Sequence, residues 1–131
     1  MGVMLFSKKK TDSPVVLMHY EGLRGFGQDF PCEVSLKNEN VIFKNKKPEV
    51  VVTLPIKQIQ SIDFMPETNF MGMYHNTTAT TAKMGTKFFY VIKYTSADGE
   101  SKFVALWDVG SKAKTLMDAI RERIVPSSYS L

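Results

Sequence analysis

The pattern of apolar and polar positions is most telling between Lys87 and Ile124, which reads as two strands joined by a tight turn and followed by one amphipathic helix. Phe88 to Tyr94 is rich in aromatic and β-branched residues, the composition that strands favour. Ser96-Ala97-Asp98-Gly99 supplies a turn, since glycine takes φ > 0 without strain and aspartate bonds its own backbone. Lys102 to Trp107 then returns. Phe88, Tyr90, Ile92 and Tyr94 share one face of the first strand; Phe103, Ala105 and Trp107 share one face of the second. Phe89, Val91, Val104 and Leu106 make the opposite faces apolar too, so this hairpin is expected to be covered on both sides. Beyond it, Ala113, Leu116, Met117, Ile120 and Ile124 fall on one stripe at helical spacing. Asp108 or Ser111 is expected to accept from the first-turn amides, and Pro126 to stop the helix.

Val15 to Tyr20 reads as a strand, and Glu21 to Pro31, with three glycines, as a loop. Cys32, Val34 and Leu36 alternate with Glu33, Ser35 and Lys37; Asn38-Glu39-Asn40 turns the chain and Val41 to Lys44 returns, a hairpin. Asn45 to Pro48 is a basic turn. Val50 to Leu54 is a β-branched strand, and Pro55 behind it marks an edge or a bulge. Ile56, Ile59 and Ile62 recur every third residue, the spacing of one helical or 3₁₀ turn, before the chain extends again to Phe64. Glu67 to Gly85 has no clear period. It reads as a loosely packed flap with a threonine-rich, irregular or edge-strand stretch, and its methionines (Met71, Met73, Met84, with Met65 ahead of them) suit an adaptable surface. The expected fold is mainly β (α+β): a bent antiparallel barrel of about seven strands capped by one C-terminal helix.

Length and composition narrow the picture. One domain is expected from 131 residues, with a flexible segment at 1–14, the domain at 15–125 and a tail at 126–131. Hydrophobic content of 44% and charged content of 23% are globular values. Cys32 is the single cysteine, so no internal disulfide forms, which fits a reducing, cytoplasmic setting. The net charge of +4 comes from scattered lysines rather than the one-sided charge of a nucleic-acid binder. No apolar run is long enough to cross a bilayer. In Met1 to Lys10 an apolar patch precedes three lysines, the reverse of a signal peptide. Phe6 stands where a myristoylation pattern has Ser or Thr. The same ten residues have the make-up of a short membrane toe, or of a frayed terminus.

Three stretches carry a family resemblance: CEVSLKNENVIFKN, VVVTLPIKQIQSIDF, and FYVIKYTSADGESKFVALWD running into the helix. Together with the strand order they resemble small bacterial pleckstrin-homology-like (PH/GRAM-like) domain proteins, over roughly Val15 to Ile124. The resemblance implies a seven-stranded barrel with a C-terminal helix and a binding role, with no catalytic signature. Lipid-binding members clamp inositol phosphates with basic residues around the first loop. Here Gly22 to Pro31 offers only Arg24, beside Asp29, and the next strand offers Lys37.

Gly22-Leu-Arg-Gly-Phe-Gly reverses the order of a dinucleotide fingerprint and leads into a strand. His19, His75 and Cys32 lack zinc-site spacing. Asp63 and Glu67 form a carboxylate pair with no further acid–base partner in sequence. No catalytic residue, cofactor or metal is expected. The strongest polar cluster is Lys44, Lys46 and Lys47, with Lys57 as a possible fourth member; these and Arg24 are the candidate partner surface. The leading expectation is a non-enzymatic binding module for a protein or peptide, joined along an open sheet edge. An anionic membrane surface is the alternative partner, and a small barrel enzyme the third reading.

Overall fold

The computed structural model describes residues 14–78 and 86–124. Seven antiparallel strands form one sheet: β1 (Val15–Glu21), β2 (Phe30–Lys37), β3 (Asn40–Lys46), β4 (Glu49–Pro55), β5 (Ile59–Pro66), β6 (Phe88–Thr95) and β7 (Ser101–Asp108). Two helices accompany them, α1 (Glu67–Tyr74) and α2 (Lys114–Arg121). The order across the sheet is β4-β3-β2-β1-β7-β6-β5. The two outermost strands are therefore consecutive in sequence, joined only by a 3₁₀ turn at Ile56–Gln58. Six inter-strand spacings would put them about 29 Å apart in a flat sheet. The link from Pro55 to Ile59 reaches at most about 14 Å. The sheet has to curl, and Ile56, Ile59 and Ile62 are all buried at the bend.

The turns follow their residues. Asn38 and Glu39 both take positive φ (52° and 65°), as a tight two-residue hairpin requires. Gly99 (φ 88°) closes the β6–β7 turn, where the Asp98 carboxylate accepts from the Glu100 amide at 3.3 Å. At Gly22 (φ 110°) a Cβ would stand 2.4 Å from the Phe103 carbonyl oxygen, so only glycine lets the chain leave β1 beside β7.

β6 and β7 are buried on both faces. Tyr90, Ile92, Val104 and Leu106 face the main core, which α2 closes with Ala113, Leu116, Met117 and Ile120. Phe89, Val91, Ala105 and Trp107 face a second core on the outside of the sheet. That second core is covered by α1, where the sequence reading expected a loose flap and a single helix. Phe70 is fully buried and stacks flat on Phe89, centroids 4.2 Å apart. Met65 and Met71 are buried there as well, and Met73 is exposed. The helix has no clean stripe of its own; packing on the sheet holds it, because eight residues are too few for stability in isolation. Part of the threonine-rich run, Met84, residues 1–10 and Pro126 lie outside the described residues.

The α2 start also differs from expectation. No side chain caps it; Ser111 contributes only its backbone carbonyl, 3.1 Å from the Lys114 amide. Asp108 turns one carboxylate oxygen to the Val109 amide at 2.9 Å, one residue after its own strand. At the other end of the helix, Arg121 donates from Nε and Nη2 to the Ile62 carbonyl (3.1 and 2.7 Å). The helix thus ties down the edge strand β5. No described residue pairs with the free edge of β4.

Replacing Phe70 with alanine should cost about 3–5 kcal/mol, the range for emptying a buried aromatic site. The urea midpoint measures it; a loss under about 1 kcal/mol would mean α1 does not seal the outer core. Gly22→Ala should also lower the midpoint, since both its φ and the Phe103 carbonyl oppose a side chain.

Candidate functional site

The outer face of the sheet is covered by α1 only over part of its width. Across β1 to β4, Val16, Glu33, Lys44 and Val51 stand in cross-strand register on that face. They lie outside the second core, which takes in β1 only from Met18 onward. A cavity of about 360 Å³ opens here, walled by Val16, Phe30, Pro31, Lys44, Lys46 and Lys47 among others. Phe30 is 59% exposed and Val16 44%, an aromatic and an aliphatic wall facing water beside three ammonium groups.

Lys44, Lys46 and Lys47 are thus brought together, as their hairpin spacing suggests. Lys44 lies 3.8 Å from Glu49 and Lys46 3.1 Å from Glu33. Such exposed pairs are worth under about 1 kcal/mol, so either lysine can exchange its carboxylate for a ligand's. Lys47 has no ion pair among the described residues. Lys57 does not join them. It lies beyond the far end of β4, where it lines a different hollow with Glu39 and Arg123. The seven-residue strand keeps it about 20 Å away. Arg24 is exposed on the β1–β2 loop, at the same end of the sheet as Lys46 and Lys47; the adjacent Gly25 would place a Cβ 3.4 Å from Val50.

That loop is held from beneath by His19. The buried imidazole meets the Gly27 carbonyl through Nδ1 at 2.9 Å, and the Leu23 amide donates to Nε2 at 3.1 Å. The His19 carbonyl accepts from the Asp29 amide at 2.6 Å. Asp29 in turn accepts from the Trp107 indole N–H at 2.7 Å. The carboxylate that weakens a phosphate-clamp reading of this loop therefore has a structural task. Burial lowers the pKa of His19; its bond to Gly27 and the nearby carboxylates of Glu21 and Asp29 oppose that without overcoming it.

The remaining chemical candidates are occupied. His75 Nε2 lies 2.5 Å from Glu21 Oε2, tying the end of α1 to β1. Asp63 pairs with Lys93 at 3.2 Å and Glu67 with Lys87 at 3.8 Å. Burial pushes the Cys32 thiol up to about 12. Among the described residues no group of three or more His, Cys, Asp or Glu is placed to hold a metal, and no helix is long and apolar enough to cross a membrane. A smaller hollow of about 240 Å³ lies between α2 and the β5–β6 pair, with Phe64 stacked on Phe88 at its mouth.

Sequence reasoning missed Phe30 and Val16. Phe30 alternates with Cys32 and Val34, a pattern that points inward, but the strand begins there and its side chain reaches water. Comparison with protein-family models, curated proteins and solved structures gives no match to this chain.

Two outcomes check this site. Cys32 should resist a thiol reagent at pH 8 in the folded protein and react fully in denaturant; rapid native labelling would contradict its burial. The K44A/K46A double variant should unfold within about 0.5 kcal/mol of the parent, since the lysines are exposed and weakly paired.

Proposed function

We propose that this chain is a non-enzymatic binding module of pleckstrin-homology-like fold whose partner is a protein or peptide. One observation carries the reading: a cavity walled by exposed Phe30 and Val16 lies over β1 to β3 on the same sheet whose outermost strand, β4, has an edge that no described residue pairs with. Exposed aromatic residues set in a hollow are the usual anchors of protein interfaces. A free edge offers a row of backbone donors and acceptors to an extended segment. Val50 and Val52 are half-buried at the margin of the main core, so an added strand with apolar alternate residues would extend that core. The strand order and the C-terminal helix support the pleckstrin-homology-like assignment.

A photo-reactive residue at position 51 or 30 should cross-link the folded protein to a discrete partner in lysate. Phe30→Asp should reduce the yield about tenfold or more. Equal cross-linking by the parent and by F30D, both shown to be folded, would end the proposal.

Lys47 and the exposed Phe30 favour a second reading, a peripheral anionic membrane surface, because lysines meet lipid charge while aromatics enter the interface. Vesicles of phosphatidylserine and phosphatidylcholine discriminate. Flotation that is lost in high salt, and on deletion of residues 1–10 or replacement of Lys46 and Lys47, supports the membrane reading; no flotation at low salt removes it.

A further inference from the structure

The contacts of His19 define its protonation state without reference to any titration. The Leu23 amide is a donor, so Nε2 must be unprotonated; the Gly27 carbonyl is an acceptor, so Nδ1 must carry the hydrogen. The imidazole is held as the neutral Nδ1–H tautomer, with the Phe26 ring 5.6 Å from its centre. Residues 23–27 depend on the ring through Leu23 and Gly27, whereas Asp29 is held by its amide on the His19 backbone carbonyl and by the Trp107 indole. A proton added at Nε2 turns the Leu23 contact into two donors facing each other and leaves a cation among buried groups.

The neighbouring elements offer little to hold that cation. β2 and β7 bring Phe30 and Leu106 into register with His19, and neither ionises. The charges that act on the ring are Glu21 on its own strand and Asp29 on the loop. Glu21 is engaged by His75 and Asp29 by Trp107. The loop also touches the docking surface: Phe30 is the strand partner of His19, and Gly27 packs so closely on the Phe30 ring that a Cβ there would lie 3.1 Å away.

We propose that protonation of His19 releases the loop at Leu23 and Gly27 and, because Gly27 packs on the Phe30 ring, unseats Phe30, so that mild acid opens the loop and loosens the cavity wall. The release of the loop stands on the His19 contacts alone; its effect on partner binding rests on the reading of the Phe30 cavity as the docking site. At pH well above 6.5 the imidazole is neutral in both folded and unfolded chains, and its contribution is complete. As pH falls through 6.5 the unfolded chain takes up the proton first, and stability declines until the lower folded value is passed.

The full chain is titrated from pH 7.5 to 5, above the ordinary carboxylate range. Imidazole ¹⁵N signals should show the Nδ1–H tautomer for His19 at pH 7.5, with His75→Gln used to assign the two histidines. Trp107 is the only tryptophan and donates to Asp29, so its indole N–H shift reports the loop directly. The Leu23 amide should lose protection by about tenfold or more, with the Trp107 indole and Phe30 ring signals moving at the same midpoint as His19. In His19→Gln, which cannot take up the proton, that common transition should vanish. An Nε2–H tautomer, or a His19 titration that leaves Trp107 and the Leu23 amide unmoved, overturns the proposal; the parent titration decides this even if His19→Gln does not fold. If the switch is observed but F30D retains all cross-linked partner, the switch stands and the docking reading fails.

Discussion

Burial of the β6–β7 pair on both faces is the constraint on which the rest of the structure depends. Val91, Ile92, Ala105 and Leu106 have no exposed surface, and consecutive residues on a strand point to opposite sides. Such a pair needs a cover above and below. The curl of the sheet brings β2, β3 and β5 round one side, and α2 closes it. The other side has only a short helix, and α1 suffices because its Phe70 meets Phe89 ring to ring. Once both sides are sealed there, the outer face toward β4 is left open to water, with an aromatic wall and lysines on it.

The loop over that open end is built by polar contacts rather than by apolar burial alone. His19, Asp29 and Trp107 form a chain from β1 through the loop to β7. Leu23 and Phe26 follow into the main core. Buried polar networks are specific in this way because each member is costly if left unmatched. The arrangement rests one arm of the loop, at Leu23 and Gly27, on a neutral imidazole and the other, at Asp29, on the His19 carbonyl and the Trp107 indole.

Much of this fold is legible in the sequence, for a physical reason. β2 and β3, with one face buried, repeat every second residue, β6 and β7 read as aromatic and β-branched runs, and turn residues such as Gly99 and Asn38-Glu39 separate them; β5 is less plain, because its buried Ile59, Ile62 and Met65 fall every third residue. The α2 stripe is equally plain. Helix α1 is hidden because Thr68, Asn69 and Gly72 lower its propensity and its order comes from the sheet beneath it. Lys44 and Lys46 sit two apart on one strand, so their shared face can be read directly; the distance to Lys57 depends on the course of β4. The role of His19 leaves no local trace. Its partners at Leu23 and Gly27 are placed by a loop whose path is set by tertiary packing, and a lone strand histidine looks the same whether it is pinned or idle.

The two rims of the sheet are unequal. On β5 the Ile62 carbonyl is already taken by the Arg121 guanidinium. On β4 the run Val50 to Thr53 carries no charge. Among the described residues the same sheet therefore ends in two chemically different margins, an uncharged run of backbone on β4 and a strand on β5 with one carbonyl already spent on a guanidinium.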